Sequence, residues 1–420
     1  MIPALLAQQS EMKVVTLQEA LQISDELNKD VQKAREYQNW IRGKYIEERS
    51  AVLPEFNLTA YGRRDSDSSF SDLTQGLYPA TQDTAMMDLI FKQTVFSWGK
   101  IGASLRAARQ AIEGGQENLR LYRQKVRRNV AQTFYDVLLA KEILEISRQR
   151  LAQRERHLEE ARNKYALGTA TDYEVLAAQV VTQNARPEVI RAENDVSLAR
   201  RRLQYLLGQD SGDVDVSGTL EVEPAPGPEY NDALKIARQN RPELLYQQDA
   251  VKIYEELIKI DNAGDKPRID LYGSYGRKYL SAGDFNVHGK VWSLGLTMSF
   301  PFFDGMRTRG QVLQAKSDLE SAKLDEAKLE DSIMLEVRQA LDGLKESGEI
   351  CSALSGTIQE AEKLLFMAEK GYELGVKTRL DVDDAELNLV LAKANLARGR
   401  RDYLVSLTNV KWVQGVLGEE

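Results

Sequence analysis

Three aspartates, Asp381, Asp383 and Asp384, follow Thr378 in the stretch Thr378-Arg-Leu-Asp-Val-Asp-Asp. On a helix Asp381 and Asp384, three apart, share a face and project their carboxylates together. Such a group could bind a divalent cation through oxygen ligands or serve only as a solvated run of charge. Metal chemistry finds no second support, because the chain has two histidines, His157 and His288, far apart, and one cysteine, Cys351. A histidine-based site needs its ligands clustered. Both histidines read as incidental. Cys351, which cannot form an intrachain disulfide, reads as a small helix-packing residue. There is no phosphate-cradling loop and no nucleophile elbow. No catalytic residue, metal site or cofactor is therefore assigned, and an enzyme is not expected.

The elements that carry these aspartates are written twice. The chain reads Tyr165-Ala-Leu-Gly-Thr-Ala-Thr and again Tyr372-Glu-Leu-Gly-Val-Lys-Thr, a spacing of 207 residues that also relates Val175 to Val382, Ala178 to Ala385 and Gly208 to Gly415. Upstream the spacing is 213, pairing Ala20-Leu21 with Ala233-Leu234 and Pro54 with Pro267. The six-residue difference must fall between about Tyr61 and Leu105, where a loop absorbs an insertion at little cost. The reading is an N-terminal segment over 1–15, a first repeat over 16–208, a linker over 209–228 and a second repeat over 229–418. Ser-Gly-Asp and Pro-Ala-Pro-Gly-Pro in the linker cannot propagate a helix. Met1 to Gln8 resembles the tail end of a secretory signal.

Within each repeat the order is helix, two strands, long helix, helix. The first helix is expected from Thr16 to Ser50, with Thr16 and Glu19 forming a capping box. From Lys100 to Tyr165 there is no proline, and roughly 65 helical residues would extend about 100 Å. Val126, Val130, Phe134 and Val137 give that rod a coiled-coil-like seam. Gly168 and Gly375 end the rods in the left-handed conformation, and a return helix starts after Thr171 or Thr378. Pro187 is expected to kink the first return helix; its counterpart is Ala394.

The strands carry a second signal. Trp292, Leu294, Leu296, Met298 and Phe300 alternate with Ser293, Gly295, Thr297 and Ser299, the period of a sheet with one apolar and one polar face. Ile269, Leu271 and Tyr275 alternate with Arg268, Asp270 and Ser274; Phe56 and Leu58 alternate with Glu55, Asn57 and Thr59. Strands of about ten residues suit an outer-membrane wall. Ser66 to Gln82 and Leu280 to Val287 read as exposed loops. Four strands cannot close a barrel, and an open edge in lipid leaves backbone groups unsatisfied, so several chains must contribute.

Composition agrees with an elongated helical protein. Of 420 residues, 29% are charged, with only 10 prolines and 28 glycines. The net charge of -8 excludes a nucleic-acid footprint, which needs uncompensated Lys and Arg. Arg154, Arg156 and Arg162 alternate with Glu155, Glu159 and Glu160 and read as a solvated helix face. No stretch approaches the roughly 18 apolar residues of a membrane-spanning helix.

Two copies of this order, with their glycine turns, resemble the TolC-like outer-membrane efflux protein family over roughly Thr16 to Gly418. Phe96-Ser-Trp-Gly99 and Phe302-Phe-Asp-Gly305 look like the family's strand-to-helix corners. The resemblance implies a mostly α fold with β: a homotrimer with a twelve-stranded outer-membrane β-barrel, four strands per protomer, and a long α-helical periplasmic tunnel. It implies a passive exit duct of a Gram-negative tripartite efflux or type I secretion system. Its partners would be an inner-membrane pump, a periplasmic adaptor (membrane fusion protein) and outer-membrane lipid. Tyr165, Gly168, Thr171, Tyr372, Gly375 and Thr378 would face the adaptor. Asp381 and Asp384, with Asp383 between them, match the acidic positions that narrow the pore, where threefold symmetry makes two rings of three carboxylates. Lys377 matches a basic residue tying the closed tip to a neighbouring helix, with Asp172 and Glu174 its acidic candidates. The family's lipid-anchored members begin with cysteine; none lies near this N-terminus, and no lipid anchor is expected. A soluble helical-hairpin scaffold or adaptor is the alternative. It accounts for the rods but not for the strand pairs.

Overall fold

A computed structural model describes residues 13–69, 79–209 and 213–418. The chain runs β1 (Lys13–Val15), α1 (Leu17–Leu27), α2 (Lys29–Ser50), β2 (Glu55–Ser66), β3 (Thr81–Phe96), α3 (Lys100–Ala166) and α4 (Asp172–Leu207). It continues β4 (Val214–Val216), α5 (Tyr230–Asn240), α6 (Pro242–Asn262), β5 (Arg268–Ala282), β6 (Phe285–Ser299), α7 (Arg307–Glu373) and α8 (Arg379–Val413). The repeat read from sequence is the repeat of the fold: α3 and α7 are 67 residues each, and α1 and α5 are 11 each.

The expected helix from Thr16 to Ser50 is two helices. The Thr16 capping box is formed, but Asn28 breaks the run. Its side-chain oxygen accepts from the N–H of Asp30 at 2.9 Å while its amide donates to the Leu206 carbonyl at 2.7 Å. In the second repeat Pro242 does the same job as the first residue of α6. Pro187 lies inside a single α4 that continues past it.

The N-terminal segment and the linker each contribute a short strand. β1, from the N-terminal segment, pairs in parallel with β4, from the linker, and Leu220 of the linker is buried with them. Alternating Val14-Val15 and Val214–Val216 were too short to register as strands. The signal-like residues, and the expectation about a lipid anchor, fall on residues 1–12, outside the described residues.

The chain forms two compact units, each drawing on both repeats. One comprises residues 13–36, 117–244 and 328–418. Its first core gathers Val15, Ala20, Val31, Val126, Val130, Phe134, Val137, Leu203 and Leu207; the seam expected on the long rod is buried. A second core, with Ala233, Ala237, Leu244, Ile333, Val337 and Val413, repeats it. Gly208 (φ +71°) ends α4 against the α1–α2 break, and Gly415 (φ +73°) ends the second repeat against the α5–α6 break.

The other unit comprises residues 37–116 and 245–327 and contains an antiparallel sheet in the order β2-β3-β5-β6. The strands have 12, 16, 15 and 15 residues, longer than the ten expected. In β5 and β6 part of the extra length comes from Leu280–Val287, expected as a loop. Those residues extend β5 and β6 to a two-residue turn, Gly283-Asp284, where Gly283 has φ +58° as the first position of a type II′ turn requires. Most of the first-repeat loop, residues 70–78, lies outside the described residues. No described helix is long and apolar enough to cross a membrane.

Candidate functional site

The two glycine turns sit in the first unit and are built alike. Gly168 (φ +75°) and Gly375 (φ +73°) let the chain reverse, and their N–H groups donate to the Tyr165 and Tyr372 carbonyls at 2.9 and 3.0 Å. Each return helix then opens on a capping box. Thr171 N–H donates to Glu174 at 2.7 Å and Glu174 N–H to Thr171 Oγ1 at 3.3 Å. Thr378 and Asp381 do the same at 2.7 and 3.2 Å. These bonds satisfy amides that a helix start otherwise leaves open. Asp381 and Glu174 are thus cap residues first.

The three aspartates divide. Asp381 also accepts from Lys377 at 3.4 Å. The Thr378 side chain and N–H, then the Lys377 charge, hold its carboxyl below the ordinary value; the Glu174 carboxyl is lowered by the bonds from Thr171. Asp383 turns inward to Arg154 and Arg379. Asp384 is exposed and has no hydrogen bond or ion pair among the described residues. Asp381, Asp383 and Asp384 therefore do not converge on one point. Lys377 pairs within its own helix start rather than with Asp172 or Glu174 of the same chain; Asp172 is exposed.

A charged cluster missed in the sequence lies beside Asp383. Arg154, read as part of a solvated face, is 7% exposed. Its guanidinium bonds Asp383 and lies 3.0 Å from Glu386, while its Nε has no hydrogen-bond partner among the described residues. Glu386 also accepts from Gln153 at 2.8 Å and meets His157 Nε2 at 2.8 Å. His157 is therefore not incidental. The signal was the spacing: Arg154 and His157 three apart on one helix, acidic Asp383 and Glu386 three apart on the other.

Around this cluster the hairpin end is partly open. A cavity of about 230 Å³ is lined by Arg154, His157, Lys164, Tyr173, Tyr372 and Arg379 among others. Tyr372 packs against Ala368, Val382 and Ala385, with Lys164 Nζ 5.5 Å from its ring centre. Tyr165 is half exposed, and Leu167, Leu374 and Val376 are 79%, 78% and 76% exposed. Sequence reasoning missed these three apolar side chains, which the turns hold in solvent where a protein partner could cover them.

Comparison with known proteins places this arrangement. The sequence model described as outer membrane efflux protein matches residues 18–209 and 233–415. The outer membrane protein TolC of Vibrio cholerae is 26% identical over 384 residues, covering 89% of this chain and 84% of that protein. The alkaline protease secretion protein AprF of Pseudomonas aeruginosa is 25% identical, covering 88% and 78%. Among solved structures, the Campylobacter jejuni CmeC outer membrane channel superposes with a TM-score of 0.82 at 18% identity, covering 99% of this chain and 93% of that one.

Proposed function

We propose, for a chain that belongs to the outer membrane efflux protein family, a homotrimeric passive duct that receives cargo from an inner-membrane pump through a periplasmic adaptor. The chain is an outer-membrane exit duct of the kind that serves efflux and type I secretion in Gram-negative bacteria, its helical part in the periplasm. Its family is one of channels rather than enzymes, and we assign no catalysis. A soluble scaffold is not favoured.

One observation carries the assembly. The sheet exposes an apolar face, with Phe56, Leu58, Leu89, Trp292, Leu294, Leu296 and Met298 between 44% and 72% exposed, and the outer edges of β2 and β6 are unpaired among the described residues. In lipid both edges must be paired. Three copies supply twelve strands, within the range of closed membrane barrels.

In this assembly the exposed turns around Tyr165, Gly168, Thr171, Tyr372, Gly375 and Thr378 meet the adaptor. Asp384 lines the narrowest point, backed by Asp381, whose cap bonds fix the start of α8; Asp383 serves instead to tether α8 to α3. Lys377 reaches Asp172 of a neighbouring copy, since Glu174 is committed to its own cap. Planar-bilayer recording tests the constriction: Asp384→Ala should raise conductance severalfold and weaken cation preference. Unchanged conductance would move the gate elsewhere, and a protein that forms no trimer and never inserts would sink the duct.

A further inference from the structure

The apolar face of the sheet ends in a pair of cations with no acidic partner among the described residues. Residues paired in register share a face, so the rows can be followed across all four strands. Phe56, Phe91, Gly273 and Leu294 form one row, and Leu58, Leu89, Tyr275 and Trp292 the next, farther from the helices. The row beyond is Ala60, Met87, Arg277 and Lys290. Beyond that come Gly62, Ala85, Tyr279 and His288, then Arg64, Asp83, Ser281 and Asn286.

Arg277 and Lys290 thus stand directly opposite each other on the lipid-facing side. Like charges so placed repel, and cations on a lipid face are costly at mid-depth but nearly neutral at the interface. A carboxylate would resolve the conflict. Asp83 is the one carboxylate on this face among the described residues, and Arg64 already holds it through two bonds of 2.6 and 2.7 Å. Arg277 and Lys290 are exposed and have no acidic partner among the described residues. The row beneath them, with Tyr275 57% and Trp292 72% exposed, has the aromatic character of a membrane-interface girdle. On the flanking strands Ala60, Gly62 and Ala85 leave the surface low beside them, with nothing within 4 Å of a side chain added at Gly62.

We propose that Arg277 and Lys290 bind the phosphate of an outer-leaflet lipid headgroup, with the lipid's acyl chains lying along the apolar rows below. The proposal rests on the outer-membrane placement, which puts the strand ends far from the helices at the outer leaflet. Arg277 offers the planar fork that grips a phosphate in two places, and Lys290 a point charge beside it. Tyr279 and His288, in the next row, offer donors toward the headgroup sugar or linker.

Native mass spectrometry of the detergent-solubilised full chain, titrated with diphosphoryl lipid A and with its dephosphorylated form, tests this. The native protein should retain the phosphorylated lipid more tightly, and an Arg277→Gln, Lys290→Gln double variant should lose about tenfold in affinity, the effect of one charge-assisted contact. Lys278→Gln, on the opposite face, should change nothing. Should the double variant fail to assemble, Lys290→Gln alone should still weaken retention severalfold. Equal retention of the two lipids, or by native and variant proteins, overturns the proposal. Displacement of bound lipid by millimolar inorganic phosphate would show a free-anion site instead and overturn it too. A chain that stays soluble without detergent and takes up neither lipid overturns the membrane placement and the proposal with it.

Discussion

The guanidinium of Arg154 on α3 lies 3.0 Å from the carboxylate of Glu386 on α8, with both side chains less than a tenth exposed. The pair joins the first repeat's long helix to the helix that carries the aspartates, and Asp383 completes it from the same face of α8. A charge pair this deep adds little net stability over an apolar replacement, yet removing one partner strands the other.

Arg154→Ala should therefore cost about 3–5 kcal/mol locally, because Glu386 loses its cation and Asp383 keeps only Arg379. Glu386→Gln should cost less, since Gln153 and His157 can still bond the new side chain. The double variant should be less damaged than the sum of the singles, by about 0.5–3 kcal/mol. Hydrogen exchange of the first turns of α8 reads this out; protection unchanged in Arg154→Ala would show that the cluster does not hold α8.

The cap on α8 sets a pH dependence of its own. The Asp381 carboxyl is held below its ordinary value chiefly by the Thr378 hydroxyl and N–H. A depressed folded-state value means the cap's contribution is complete above the unfolded value of about 3.9 and is lost as pH falls through the folded one. Protection of the Thr378 amide, which donates to that carboxylate, should hold down to about pH 4 and fall only below it, and Asp381→Asn should abolish the dependence. A loss centred near neutral pH would contradict this assignment.

The turns and caps were legible because their causes are local. A glycine needing positive φ, and a Thr three residues before Glu or Asp, act within one or two turns of chain. The paired cores were legible because the repeat imposes them: Val126 and Val130 recur as Ile333 and Val337 at the spacing read from the motifs. What stayed hidden depends on partners far along the chain. Arg154 looks solvated among its glutamates until a helix 232 residues away brings Glu386 to it. Asn28 looks helical until the Leu206 carbonyl arrives to take its amide. Leu280–Val287 looked like a loop because its polar residues face the outer end of the sheet, and only Gly283 marked the true turn.

Among the glycines of the four strands, Gly276 is the one where a side chain would be most crowded. A Cβ there would lie 2.4 Å from the Met87 carbonyl oxygen and 2.6 Å from Asp88 Cβ, neither of which can swing aside. Gly276→Ala should destabilise the sheet by about 1–3 kcal/mol, whereas Gly62→Ala, with open space around it, should be near neutral. Thermal melting of the strand signal by circular dichroism separates the two, and equal midpoints would mean the strands can part at Gly276 without penalty.

A comparison of Gly168→Ala with Gly208→Ala separates backbone strain from packing. Both glycines have φ near +70° (+75° and +71°), so alanine pays the same left-handed penalty at each, about 1–2 kcal/mol. Around Gly168 nothing lies within 4 Å of an added Cβ, but at Gly208 it would sit 2.3 Å from the Leu27 carbonyl oxygen, at the break between α1 and α2. Gly208→Ala must therefore also push the end of α4 away from that break, disturbing the Asn28 bond to Leu206 and adding about 1–3 kcal/mol. Gly415→Ala should match it, because the same Cβ would lie 2.6 Å from the Asn240 carbonyl in the second repeat. Denaturant midpoints of the three variants decide the point. If all three shift equally, strain alone explains the glycines and the helix ends are free to move; a larger shift shared by Gly208→Ala and Gly415→Ala locates a rigid contact at the same point of both repeats.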